Sequence, residues 1–223
     1  MAVIHIMATE LCEIMGRHGS DKGSKDIGTS WHNYTLLYHQ LFNALRDRKL
    51  RVFELGLGTN NVLLPSNMGA DGRPGASLYG WAEYFPEASI YGADVDRGCL
   101  FNTERIKTYY CDQRSPADIA ALWSQPELQE PFDIIIEDGL HTYEANICFM
   151  VHSLHKLAPG GCYIVEDVAC RHLEQYQQWI KDNRDKYPEY TFDLTAIQSS
   201  VNHWDNCVML IRRTGSGFDP VVA

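Results

Sequence analysis

No stretch of the 223 residues approaches the roughly 20 consecutive apolar residues that a membrane helix needs, although 45% of the chain is hydrophobic. The opening MAVIHIMATELCEIMG has acidic residues and no basic n-region, so it reads as a poor secretory signal. Cationic charge is scarce as well. Nineteen Lys plus Arg stand against 29 Asp plus Glu, giving −10 with His neutral. That balance argues against broad phosphate-backbone binding and places small molecules ahead of nucleic acid as the partner class. Paired cysteines are also missing. Cys12, Cys99, Cys111, Cys148, Cys162, Cys170 and Cys207 are odd in number, scattered and without a CxxC. Reduced thiols in a cytoplasmic protein are the simplest reading, and the Asn33-Tyr34-Thr35 acceptor pattern then lacks a secretory context.

What is present is an ordered series of apolar runs. Arg51–Gly58, Ser89–Asp96, Arg105–Asp112, Pro131–Gly139 and Gly160–Val168 read as strands, and Ile134-Ile135-Ile136 suits a strand covered on both faces. Pro116–Trp123, Tyr143–Leu157 and Leu173–Tyr187 read as helices between them, and 190–197 and 207–213 as a closing hairpin. The expected fold is α/β: a Rossmann-like, mostly parallel seven-stranded sheet with helices on both faces and a C-terminal antiparallel hairpin. Residues 1–45 read as a small N-terminal helical cap or lid, 46–216 as the core and 217–223 as a flexible tail. Within the cap, 17–34 is polar and turn-rich, while 35–45 is helical. Residues 61–76, with Pro65, Gly69, Gly72, Pro74 and Gly75, read as a long loop beside the first strand. Leu36, Leu37, Leu41 and Phe42 would pack either in a homo-oligomer interface or against the core.

Chemistry concentrates at the ends of these strands. In Glu54-Leu55-Gly56-Leu57-Gly58, two glycines after a strand permit a tight turn and close approach to a ligand. Asn61 occupies the third position of a dinucleotide GxGxxG, so that fingerprint is absent. Asp94 could take a ribose diol or stay a solvated strand end, and Asp112-Gln113 could meet an adenine or cap a helix. The densest constellation is Asp138-Gly139-Leu140-His141 with Glu166-Asp167, placed after two strands expected to be neighbours. Three converging carboxylates repel unless a cation neutralises them, and oxygen ligands favour Mg²⁺ or Mn²⁺. His141, three residues after Asp138, is a candidate general base. Strand alternation could turn Glu137 away from Asp138, toward a cofactor or a capping partner. Trp81, Tyr84 and Phe85 have the spacing of core residues. His152 and His155 read as packing or exposed residues, and Cys111 and Cys162 as buried.

At these motifs the chain resembles the class I S-adenosylmethionine-dependent methyltransferases, and more narrowly the metal-dependent sugar O-methyltransferases of macrolide and related antibiotic pathways. The likeness rests on FELGLG at 53–58, SLYGWAEYFPEASIYGADVD at 77–96, DQ at 112–113, FDIIIEDGLH at 132–141 and LAPGGCYIVEDV at 157–168. GSDKG at 19–23 and YTLLYHQLF at 34–42 resemble the cap of that group. The resemblance implies that Glu54, Gly56 and Gly58 shape the pocket for the methionine part of S-adenosylmethionine, and that Asp94 holds its ribose. It further implies Asp112 and Gln113 near the adenine, Asp138, Glu166 and Asp167 as Mg²⁺ ligands, and His141 as the base, while Glu137 joins the cofactor-binding candidates on strand alternation alone. The group usually reads DDGSH where this chain reads EDGLH, so Glu137 and Leu140 depart from it.

The activity implied is methyl transfer to a hydroxyl of a sugar or glycosylated natural product, with a small-molecule acceptor and neither nucleic acid nor membrane as partner. Two alternatives share the motifs: transfer to a catechol or other vicinal hydroxyl substrate, and a non-catalytic cofactor-binding regulator. An oxidative role lacks an evident two-His, one-carboxylate iron set. A length of 223 residues accommodates one catalytic domain and a cap, without the extra N-terminal domain such enzymes can carry. A smaller or differently presented acceptor is expected.

Overall fold

The apolar runs form one seven-stranded sheet in the order β3-β2-β1-β4-β5-β7-β6. The strands are β1 (Arg51–Leu55), β2 (Ser89–Asp94), β3 (Ile106–Tyr110), β4 (Phe132–Glu137), β5 (Leu157–Val165), β6 (Tyr190–Ala196) and β7 (Cys207–Arg213). The computed structural model describes residues 7–215, so the tail expected at 217–223 lies outside the described residues. Strands β1 to β5 pair in parallel, and β7 inserts antiparallel between β5 and β6. The closing hairpin thus supplies the sheet edge.

Side-chain alternation splits the core into two layers. Val52, Ile90, Ile134, Ile136 and Ile164 face one layer, covered by α1 (Glu10–His18), α2 (Tyr34–Phe42) and α3 (Ala76–Tyr84). Phe53, Leu55, Ile135 and Tyr163 face the other, covered by α4 (Pro116–Trp123), α5 (Tyr143–Ser153) and α6 (Leu173–Asn183). Trp81, Tyr84 and Phe85 are fully buried, as their spacing indicates. Leu41 and Phe42 join the core, and Leu37 packs against it.

Local chemistry sets the boundaries. Thr9 caps α1 through the Cys12 amide, and Gly19 ends that helix in the left-handed conformation. Ser115 caps α4, with Pro116 at its first position. The strand expected to reach Gly58 stops at Leu55, because Gly56 and Gly58 take φ of 88° and 76°. The helix expected to reach Leu157 ends at Ser153, and Leu157 already belongs to β5.

Candidate active site

Parallel strands diverge to opposite sides of β1, so the crevice at their carboxyl ends is the natural binding position of this topology. A cavity opens there. Its walls are Leu55–Thr59 after β1, Asp94 and Val95 after β2, Cys111–Arg114 after β3, Asp138–His141 after β4, and Glu166 and Asp167 after β5. The cap closes one side with Ser20, Asp21, Lys22, His32 and Tyr34, and the 59–75 loop contributes Leu64, Met68 and Arg73.

Asp94 sits on the wall expected for it, with both carboxylate oxygens anchored by the backbone. Oδ2 accepts from the Leu57 amide and Oδ1 from the Asp96 amide, each at 2.8 Å. Burial nonetheless raises its pKa. Asp112 lines the wall too, held by Arg114 (2.8 and 3.0 Å), whose hydrogen bonds lower its pKa. Gln113 has both ends of its amide committed. Nε2 donates to Glu137 Oε1 at 2.8 Å, and Oε1 accepts from the Leu140 amide at 2.7 Å. It therefore braces the loop that carries His141.

Glu54 and Glu137 stand one layer behind the cavity wall. Glu54 is fully buried, accepts hydrogen bonds from Ser77 Oγ and, at 2.6 Å, from Trp81 Nε1, and lies 3.6 Å from Lys22 Nζ. Glu137 faces the α4–α6 layer, as alternation from Ile135 requires. Burial raises its pKa to about 7, and Oε2 has no hydrogen-bond partner. The two glycines answer to protein neighbours. A Cβ on Gly56 would lie 1.8 Å from the Asp138 carbonyl oxygen, and one on Gly58 would lie 2.1 Å from Met68 Sδ.

Asp138, Glu166, Asp167 and His141 do converge. The ring of His141 bridges two of the carboxylates, with Nε2 3.1 Å from Asp138 Oδ1 and Nδ1 3.2 Å from Asp167 Oδ2. Backbone strain accompanies this arrangement, since His141 and Asp167 adopt φ of 59° and 51°. Lys22 bridges the remaining pair. Its Nζ lies 2.5 Å from Asp138 Oδ2 and 2.6 Å from Glu166 Oε2, and only 2% of its side chain is exposed. Two phenols complete the set: Tyr38 donates to Glu166 Oε1, and Tyr34 donates to Asp167 Oδ1 at 2.5 Å.

Electrostatics follow from this packing. Burial opposes the charged form of His141, but the hydrogen bond to Asp138 and the charges of Asp167 and Asp138 outweigh it. Its pKa rises to about 10. Burial alone would raise Asp138, yet Lys22 and His141 hold its carboxyl well below the usual range. Glu54, Glu166 and Asp167 are all pushed upward, chiefly by burial, with neighbouring carboxylates adding to it. These groups would take up protons or a cation. Oxygen donors suit a hard divalent ion, and one ligand atom each from Asp138, His141 and Asp167 lies within 4.8 Å of the others. A second group, His32, Asp167 and Asp205, meets the same criterion and shares Asp167.

Lys22, Tyr34, Tyr38 and His32 carry no role in a motif-based reading. For the tyrosines a signal existed. Their spacing of four on α2 places both hydroxyls on one face, where they reach the consecutive acids Asp167 and Glu166.

No protein-family model matches the chain. Curated relatives do. The chain is 33% identical over 171 residues to the 8-demethyl-8-alpha-L-rhamnosyl tetracenomycin-C 2'-O-methyltransferase of Streptomyces olivaceus, covering 75% of this chain and 40% of that protein. It is 34% identical over 172 residues to the L-olivosyl-oleandolide 3-O-methyltransferase of Streptomyces antibioticus, covering 74% and 39%. The chain thus spans about two fifths of the length of the curated relatives it matches. Among solved structures, the MycE methyltransferase of the mycinamycin biosynthetic pathway, in complex with Mg, SAH and mycinamycin VI, superposes with a TM-score of 0.70. That match has 21% identity and covers 96% of this chain and 57% of that one. Shared sequence and shared fold make this chain a homologue of the sugar O-methyltransferases of antibiotic pathways, built on the class I S-adenosylmethionine-dependent methyltransferase fold.

Proposed function

We propose that the protein is a Mg²⁺-dependent O-methyltransferase that moves a methyl group from S-adenosylmethionine to a hydroxyl of a sugar on a glycosylated small molecule. The observation that carries this reading is the gathering of Asp138, Glu166, Asp167 and His141 on the same cavity wall system as Asp94 and Asp112. Relatives named for methylating rhamnosyl and olivosyl groups support the acceptor class. The net charge of −10 favours a small molecule over nucleic acid, and among the described residues no helix is long and apolar enough to cross a membrane. Seven free cysteines agree with a reduced, cytoplasmic setting.

Asp94 would hold the cofactor ribose, with Asp112 and Gln113 at the adenine side and the Leu55–Thr59 backbone along the methionine part. Glu54 and Glu137 act indirectly, Glu54 by fixing Ser77 and Glu137 by fixing Gln113. Asp138, Glu166 and Asp167 would hold the metal, which when bound orients neighbouring acceptor oxygens and stabilises developing alkoxide charge. His141 is the proton acceptor. Its ring is held protonated by Asp138 and Asp167 in this arrangement, so it becomes a base when those carboxylates are otherwise neutralised. Its Nε2 would then accept the hydroxyl proton. Leu140 makes that wall less polar than the serine usual in the group. The cap residues Ser20–Lys22 and His32 exclude water from the acceptor side.

The test is transfer from S-adenosylmethionine to a panel of rhamnosylated, olivosylated and catechol acceptors, with and without EDTA. Asp138→Ala is expected to lower the rate by at least about 100-fold, judged by the cost of losing electrostatic stabilisation of the reacting oxygen. Full activity of Asp138→Ala or in EDTA would refute the metal role. Transfer confined to the catechols would replace the sugar acceptor.

A further inference from the structure

The three expected metal ligands have no unoccupied carboxylate oxygen. Glu166 receives Lys22 on Oε2 and Tyr38 on Oε1, and Asp138 receives Lys22 on Oδ2 and His141 on Oδ1. Asp167 receives Tyr34 on Oδ1 and His141 on Oδ2. Tyr38 is fixed in the core, stacked on Phe42 and tilted against Trp81, with no exposure. Of the two groups on Glu166, Lys22 is therefore the one able to leave. It sits on the irregular segment between α1 and α2, whose C-terminal end is anchored by Asn206 to Asn33 Oδ1 at 2.7 Å, Asn33 to the Gln198 carbonyl at 2.8 Å and His32 beside Asp167 at 3.4 Å. Around Lys22 its backbone is tied to α2 by the Thr35 amide on the Lys22 carbonyl at 3.2 Å.

We infer that Lys22 is a tethered stand-in cation: its ammonium caps Asp138 and Glu166 in the metal-free protein, and a divalent ion displaces it to reach Glu166. This rests on the proposed metal role of the triad. Two cations cannot share the same carboxylate oxygens at contact distance without strong repulsion. Metal loading is thus coupled to release of the Lys22 side chain, which lines the acceptor side of the cavity. The metal-free protein keeps its acids neutralised by its own chain, and the cap responds when the metal arrives. A ligand that must displace a docked group binds with its affinity reduced by the undocked fraction.

The experiment is calorimetric titration of MgCl₂ into the full chain, wild type and Lys22→Met, with thermal denaturation of both. Lys22→Met is expected to bind Mg²⁺ at least about tenfold more tightly, as if a state docked about nine-tenths of the time were removed. Without metal its Tm falls, and Mg²⁺ restores more of the Tm than in wild type. Equal or weaker Mg²⁺ binding by a folded Lys22→Met, with wild type still binding, overturns the displacement and leaves the metal role standing. No Mg²⁺ binding by either protein overturns both. Should Lys22→Met not fold, hydrogen exchange of wild type decides: amides flanking Lys22, residues 20–24, are expected to exchange faster with Mg²⁺, and unchanged or slower exchange there refutes the displacement.

Discussion

Gly56→Ala tests how tightly the turn after β1 is tied to the metal-side loop. Gly56 has φ of 88°, where an alanine costs about 1–2 kcal/mol. Its added Cβ would lie 1.8 Å from the Asp138 carbonyl oxygen, 2.5 Å from the carbonyl carbon and 3.0 Å from the Gly139 nitrogen. Clearing the oxygen to 3.0 Å takes a displacement of about 1.2 Å (3.0 minus 1.8), and overpacking of this kind costs about 1–3 kcal/mol more. The movement is resisted by the Asp138 amide bond to the Leu55 carbonyl at 2.9 Å and the Gly56 amide bond to the Ala93 carbonyl at 2.8 Å. Together the terms give about 2–5 kcal/mol, or a Tm lower by roughly 4–20 °C for a chain of this size. Because a 1 Å misplacement can cost about 100-fold in rate, activity at a temperature where the variant is folded should fall by about that factor. Circular dichroism melting and methyl transfer on one preparation read both effects. Gly28→Ala is the control: beyond its chain neighbours no atom lies within 4 Å of its Cβ, and its Tm should shift by less than about 2 °C. Identical melting and rates for the two variants would refute the proposed contact.

Glu137 gives a pH test with a definite sign. Its folded pKa is raised from 4.5 to about 7, so the stability it contributes is full below pH 4.5 and lost as pH rises through 7. At 1.36 kcal/mol per pH unit this amounts to about 3 kcal/mol. Glu137→Gln should raise the Tm at pH 8 and leave it nearly unchanged at pH 4; an equal shift at both would contradict the assignment. Trp81→Phe removes a donor from the buried Glu54 carboxylate and should cost about 1–3 kcal/mol in denaturant unfolding, whereas an unchanged midpoint would mean that Glu54 does not depend on it. His141→Gln should keep cofactor binding in calorimetry and lose transfer at every pH, and retention of the wild-type pH–rate profile would remove the base.

The parallel sheet and its edge hairpin were readable because continuous runs such as Ile134–Ile136 leave little choice but a sheet covered on both faces. Boundaries were less so. The run through Leu57 is apolar to the end, but left-handed Gly56 stops the ladder at Leu55. Asp138, His141, Glu166 and Asp167 were legible as a group because β4 and β5 are neighbours, so residues one to four steps past their ends share one edge. Glu54 and Gln113 were legible as residues of the site, but not in their roles. Whether a side chain faces a ligand or braces a neighbour depends on contacts such as Trp81 and Leu140 that lie 27 residues away in sequence. Lys22 was the least legible. It reaches partners 116 and 144 residues away, from a glycine-flanked segment whose polarity suggests a solvated loop.

Product analysis decides whether the protein methylates a sugar hydroxyl in a metal-dependent way. The protein would be incubated with methyl-labelled S-adenosylmethionine, Mg²⁺ and a rhamnosylated polycyclic acceptor, and the product sequenced by fragment mass. The label should appear on one sugar oxygen, disappear with EDTA and return with added Mg²⁺. Label on the aglycone would exclude the sugar hydroxyl as acceptor, and transfer at an undiminished rate in EDTA would exclude the metal.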